Sequence, residues 1–203
     1  MKILGISCSP RKDRNTELCL KKALDKAATF SNIETQFISL SGKNFSGCIA
    51  CDYCRKTLDC SLKDDFQKEI LPILKDPDLK GIIIATPVYF GSMSSQCKAF
   101  LDRTLPLRRN GFLLKNKVAG VIAVGGSRNG GQELTIQAVH SALLIHDCII
   151  VSDGANTAHF GGAAWERHPG GIEQDETGIL TIQNLGKRIA ETLLMLEKNG
   201  KEL

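Results

Sequence analysis

The chain of 203 residues predicts a doubly wound, three-layer α/β fold around five parallel strands. Three observations carry the prediction. Short apolar runs alternate with amphipathic segments throughout, and no repeat or low-complexity tract interrupts them. The runs Gly81-Ile82-Ile83-Ile84-Ala85 and Val118-Ala119-Gly120-Val121-Ile122-Ala123-Val124 are nearly continuous in apolar character. Strands of that kind are covered on both faces, so helices must flank the sheet. The length suits one domain over residues 1–203.

In order, the strands are expected at Lys2 to Ser7, Ile33 to Leu40, Gly81 to Thr86, Val118 to Val124 and Cys148 to Ser152. A first helix begins at Asn15 or Thr16, either of which can cap it, and sets Leu20, Ala23, Leu24 and Ala27 on one stripe. Helices follow near Leu62 to Leu74, where Pro72 should break or kink the turn, Ser94 to Arg103, and Gly131 to Ile145. A last helix over Thr177 to Lys198 places Ile182, Leu185, Ile189, Leu193 and Leu196 on one face and ends at Asn199-Gly200. Two long irregular stretches stand out, 41–62 and 153–176, and such stretches inside a domain are usually functional or lie at an interface.

Charge narrows the partners. The net charge of +4 comes from 26 basic and 22 acidic residues without a block of either sign, which leaves no footprint for nucleic acid or membrane. The first apolar stretch is too short for a signal peptide or a membrane span, so the expected location is the cytoplasm. In that reducing compartment a cysteine cluster is better explained by metal than by disulfides.

The cluster is Cys48, Cys51, Cys54 and Cys60, four thiols within thirteen residues in the pattern C-x2-C-x2-C-x5-C. One short loop can turn all four inward around iron or zinc. Zinc sites usually pair two C-x2-C knuckles a dozen or more residues apart, so the spacing favours iron–sulfur while zinc stays open. Cys19, Cys97 and Cys148 fall in helices or a strand, where a free thiol acts as a small apolar side chain, and Cys8 in the first loop is given no role.

Three loops at the strand ends suit a phosphorylated planar cofactor. After the first strand, Ser7, Ser9, Arg11, Asn15 and Thr16 precede or open a helix, offering hydroxyls, a guanidinium and free N–H groups to a phosphate. After the third, Pro87, Val88, Tyr89, Phe90, Gly91 and Ser92 bring two aromatic rings, in a chain only 5% aromatic, to where a planar ring could lie. After the fourth, Gly125, Gly126, Ser127 and Gly130 permit close backbone approach. In a sheet of order 2-1-3-4-5 the first two loops flank the switch point, a geometry that fits FMN; no G-x-G-x-x-G follows the first strand, which disfavours a fixed dinucleotide. The four histidines, His140, His146, His159 and His168, show no ligand spacing and are read as core or surface residues. His159-Phe160-Gly161-Gly162 and Trp165 are expected to cover the flavin or a neighbouring subunit.

Taken jointly, Ser7-Cys8-Ser9-Pro10-Arg11…Asn15-Thr16, the cysteine cluster with Lys63-Asp64-Asp65-Phe66, and Thr86-Pro87-Val88-Tyr89-Phe90-Gly91-Ser92…Lys98-Ala99-Phe100-Leu101-Asp102-Arg103 resemble the flavodoxin-like NAD(P)H-dependent FMN reductases, specifically the iron–sulfur flavoproteins. The resemblance continues through Val124-Gly125-Gly126-Ser127 and Asp175-Glu176-Thr177-Gly178-Ile179…Asn184-Leu185-Gly186-Lys187-Arg188. It implies a flavodoxin-like αβα sandwich, FMN on the three loops, a [4Fe–4S] cluster on the four cysteines, and a homodimer or homotetramer in which one subunit's cluster approaches another's flavin. Lys12-Asp13-Arg14 and Cys8 depart from the glycines common at those positions. The expected function is an oxidoreductase that takes single electrons from a carrier such as ferredoxin and reduces a small two-electron acceptor such as a quinone, dioxygen or hydrogen peroxide. The competing readings are an NAD(P)H-dependent FMN or quinone reductase, a non-enzymatic electron carrier, and a zinc-stabilised binding module.

Overall fold

The computed structural model describes residues 1–199. Parallel strands β1 (Lys2–Ser7), β2 (Glu34–Ser39), β3 (Leu79–Pro87), β4 (Val118–Gly125) and β5 (Ile149–Ile150) lie in the order β2-β1-β3-β4-β5, as expected. The strand alternation divides the core in two. Ile3, Ile83 and Ile122 face α1 (Asn15–Ala28) and α6 (Glu176–Asn199), while Leu4, Ile82, Ile84 and Val121 face Phe66, Leu71, Phe100, Ile136 and Val139 on the other side. Both faces are sealed, which is why the central strands carry so few polar residues. α1 and α6 meet closely at Gly186, where a Cβ would stand 2.0 Å from the Ala23 carbonyl oxygen. The other layer holds α2 (Leu71–Leu74), α3 (Ser95–Arg103), α4 (Leu105–Arg109) and α5 (Gln132–Ile145). Among the described residues no helix is long and apolar enough to cross a membrane.

Several expectations are corrected. The fifth strand does not run from Cys148 to Ser152: β5 spans two residues, and a sixth strand, β6 (Gly162–Trp165), takes up the pairing with β4 at Ile122 to Gly125. The sheet therefore has six strands in five positions, and residues 151–161 form an excursion between β5 and β6. Gly162 lets the returning chain enter the sheet, since a Cβ there would stand 3.0 Å from both Ile122 and Ile182. Neither Asn15 nor Thr16 caps α1; the cap position is Arg14, and the Glu17 carboxylate accepts the Asp13 N–H at 3.0 Å. The helix expected from Leu62 begins only at Phe66, and its first turn is π-helical over Phe66–Ile70. Pro72 sits in the first turn of α2 directly after it, where its missing N–H is spared an interior bond. α4 was not anticipated. The proposed end of the last helix at Gly200 lies outside the described residues.

Candidate flavin rim and cysteine cavity

The three strand-end loops meet along one rim of the sheet. Ser7 and Ser9 are buried; Ser9 Oγ accepts the Arg11 N–H at 3.1 Å and so tightens the turn after β1. Ser7 Oγ is buried with no partner among the described residues, a donor left available for a ligand oxygen. Thr16 is buried in the first turn of α1, and Asn15 stands half-exposed beside it. The Arg11 guanidinium turns to Glu166 at 2.8 Å, a carboxylate that sequence reasoning did not connect to this loop.

After β3, Tyr89 and Ser92 exchange N–H···O bonds of 2.8 and 3.1 Å, closing a two-residue turn with positive φ at Phe90 (50°) and Gly91 (73°). This turn thrusts Phe90 fully into solvent, while Tyr89 is partly covered at 42% exposure. Pro87 pairs with Val124, and the Val88 N–H donates to the Val124 carbonyl at 2.9 Å. Ser94, which caps α3, also donates to the Cys8 carbonyl at 2.7 Å and thereby ties the first loop to the second.

The loop after β4 is braced by Gln132 and Glu166, which the sequence did not single out, and by Trp165, which it did. Gln132 donates to the Ser127 carbonyl at 2.6 Å and accepts the Gly130 N–H at 2.9 Å. Trp165 donates to the Gly126 carbonyl at 3.1 Å, and the Glu166 N–H donates to that of Gly125 at 2.8 Å. Gly131, at φ 94°, lies so close to the β3 loop that a Cβ would stand 3.1 Å from Gly91 Cα. A free buried hydroxyl, an exposed aromatic turn and a glycine-lined wall on one rim match the needs of a phosphorylated planar ring system.

Cys48, Cys51, Cys54 and Cys60 line a single recess, walled also by residues from the end of α3 and from α4. Among the described residues no three candidate ligands are closed around a common point. The donors around the cysteines suit an anionic, sulfur-bound centre. Arg109 Nη1 donates to Cys54 Sγ and the Ala50 N–H to Cys48 Sγ, each at 3.4 Å, while Cys51 Sγ lies 3.0 Å from Ser61 Oγ. The hydrogen bond from Ser61, with one from the Tyr53 backbone, holds the Cys51 thiol below its ordinary value of 9.0.

A model of the NADPH-dependent FMN reductases matches residues 1–162. The chain belongs to the NADPH-dependent FMN reductase family. Within it, the chain is 48% identical to an iron–sulfur flavoprotein of Methanocaldococcus jannaschii over 198 residues, covering 98% of this chain and all of that one. It is 42% identical to an iron–sulfur flavoprotein of Methanosarcina thermophila over 199 residues, 98% of each. In fold it is similar to a flavodoxin, WrbA-like protein of Agrobacterium tumefaciens, with a TM-score of 0.65 at 18% identity over 94% of this chain and 96% of that one. As an FMN reductase family member of the iron–sulfur flavoprotein type, the protein is a flavin-dependent oxidoreductase.

Two cations set this family member's cysteine loop in place. Arg103, 1% exposed, reaches from the last residue of α3 to the Asp64 carboxylate and to the Ser46 carbonyl at 2.9 Å. Arg109 and Asn110 hold the turn Tyr53–Arg55 from α4: Arg109 binds Asp52 at 2.9 Å, and Asn110 donates to the carbonyls of Cys54 (3.0 Å) and Thr57 (3.2 Å). The signal for Arg103 lay in the quoted motif Asp102-Arg103; the run Arg108-Arg109-Asn110 gave none, because its partners are more than fifty residues upstream.

Proposed function

We propose that the chain is an FMN- and [4Fe–4S]-dependent oxidoreductase working in the cytoplasm. Ser7, Ser9, Arg11, Asn15 and Thr16 bind the FMN phosphate; Pro87 to Ser92 present the aromatic platform; Gly125, Gly126, Ser127 and Gly130 form the opposing wall. Cys48, Cys51, Cys54 and Cys60 ligate the cluster. When bound, these groups supply one- and two-electron chemistry that joins a single-electron donor such as ferredoxin to a two-electron acceptor such as a quinone, dioxygen or hydrogen peroxide.

The observation that carries the reading is the pairing, on one chain, of a four-cysteine cavity ringed by N–H donors and cations with a rim that holds an unpartnered buried hydroxyl. Arg109 donates to Cys54 Sγ, and Arg103 and Arg109 place positive charge beside the cysteines while pairing with Asp64 and Asp52. The two sites also lie at opposite ends of α3: Ser94 caps its start at the flavin rim, and Arg103, its last residue, lines the cysteine cavity. Nine helical residues rise about 14 Å. That separation supports a homodimer or homotetramer in which the cavity of one subunit faces the rim of another.

Anaerobic purification with visible spectra and counts of iron, sulfide and FMN tests the reading. A broad absorption beside the flavin bands should disappear in Cys51→Ala while FMN remains; a colourless native protein, or an unchanged spectrum in the variant, would sink it. The match to NADPH-dependent reductases favours one second reading, in which NADPH itself reduces the flavin. Rapid anaerobic bleaching by NADPH would select it.

A further inference from the structure

The chain between β1 and α1 is held at both ends by a circuit of hydrogen bonds that runs through Glu17. Glu17 lies in the first turn of α1 and is 2% exposed. Burying a carboxylate is costly unless donors meet its oxygens, and here two do. Oε2 accepts the Asp13 backbone N–H at 3.0 Å, and Oε1 accepts the hydroxyl of Ser39 at the end of β2. Ser39 Oγ in turn accepts the Ser41 N–H at 3.1 Å, and Ser41 Oγ donates to the Pro10 carbonyl at 3.0 Å. Pro10 is thereby tied to the end of β2 and Asp13 to α1. A glutamate at the third position of a helix commonly reaches back to the cap residue. Glu17 reaches one residue further, past Arg14 to the turn itself. Asp13 has φ 51°, a left-handed conformation that glycine adopts freely and that a residue with a Cβ adopts under strain. The hydrogen bond to its N–H keeps that conformation in place, so Lys12-Asp13-Arg14 makes the turn without a glycine.

We propose that Glu17 is the positioning residue of the loop after β1, and that through this clamp it sets a preference for a flavin that carries a phosphate over one that does not. This rests on the reading of that loop as the holder of the FMN phosphate. Two features aim the clamp at such a group. Ser39 is paired in register with Ser7, so both side chains stand on one face of the sheet, and Ser7 Oγ is the buried hydroxyl without a partner among the described residues. The turn that Glu17 fixes leads straight into α1, whose cap residue Arg14 supplies no side-chain bond. The first N–H groups of a helix have no partner inside it and suit an anion, provided the turn before them is fixed in direction. A direct contact between this carboxylate and a phosphate would be repulsive, which leaves positioning as its contribution. Glu17 acts through the backbone: it holds the segment that carries Arg11 and delivers the chain to the start of α1.

Titration of FMN and of riboflavin into deflavinated full-length protein tests the proposal, because the two ligands share the ring and the ribityl chain and differ only in the phosphate. The ratio of FMN to riboflavin affinity should fall about 10-fold in Glu17→Ala, the worth of a hydrogen bond to a charged group, while riboflavin affinity holds. Ser39→Ala removes one arm of the clamp and should lower the ratio about threefold. Loss of stability alone would weaken both ligands together and leave the ratio where it was. A native ratio in folded Glu17→Ala, or in Ser39→Ala if only that variant folds, overturns the proposal. If the native protein itself binds riboflavin as tightly as FMN, the phosphate-loop reading has failed, and the role of Glu17 falls with it.

Discussion

Arg103 grips Asp64 at two points, Nη1 to Oδ2 at 2.6 Å and Nη2 to Oδ1 at 2.9 Å, beside the cysteine cavity. The guanidinium also lies 4.9 Å from the Phe66 ring centroid, which fixes it against the core. One buried cation thus joins α3 to both ends of the cysteine loop, at Ser46 and at Leu62 to Asp64.

Removing the carboxylate from this pair leaves a buried charge uncompensated. Asp64→Ala should destabilise the fold by about 3 kcal/mol, read from thermal or urea unfolding. The pair also has a definite pH dependence. Burial pushes the Asp64 carboxyl up, but hydrogen bonds from Arg103 and the Gln67 N–H outweigh it and hold the group below its ordinary 3.8. A depressed carboxyl stabilises above the unfolded value and ceases to do so as pH falls through the folded one. The stability gap between the native protein and Asp64→Asn should therefore hold steady above about pH 5 and narrow below 3.8.

Gly131 is the contact between two walls of the flavin rim. Gly131→Ala places a side chain at φ 94° and 3.1 Å from Gly91 Cα, so the loops must part. The expected cost is about 1–2 kcal/mol of stability, with weaker FMN retention by titration. Native affinity in the variant would mean the two loops do not act together.

Trp165 tethers the Gly126 carbonyl through its indole N–H, while Arg128 lies 5.6 Å from its ring centroid. Trp165→Ala should weaken FMN binding about tenfold, the worth of one such hydrogen bond. If sizing, FMN affinity and acceptor kinetics all stay native, the residue covers neither flavin nor subunit.

The eight thiols should sort by reactivity. Burial pushes Cys19 and Cys148 up to about 12, and burial together with a hydrogen bond to Cys97 raises Cys8 well above its usual value. In cluster-free protein, brief alkylation near neutral pH followed by mass mapping should label exposed Cys51 first and leave Cys8, Cys19 and Cys148 unmodified. Early labelling of Cys8 would contradict its packing.

The order of strands was legible because two-sided burial writes itself into sequence: Ile82, Ile83 and Ile84 face alternate layers, and all three must be apolar. The cysteine spacing and the three strand-end loops were legible for a similar reason, since local geometry decides which neighbouring residues can face one ligand. The fifth strand was legible in place but not in length, and β6 was not legible at all, because Gly162 to Trp165 reads as loop until Ile122 to Gly125 of β4 supplies its partners.

By itself, then, the sequence determined the layered architecture and the family, properties carried by residues close together in the chain. Tertiary structure alone decided which distant side chains brace those regions: Arg103 and Arg109 at the cysteines, Gln132 and Glu166 at the strand-end loops. These contacts depend on how helices pack across the sheet, and packing against a distant partner leaves no periodic trace in the residues that make it.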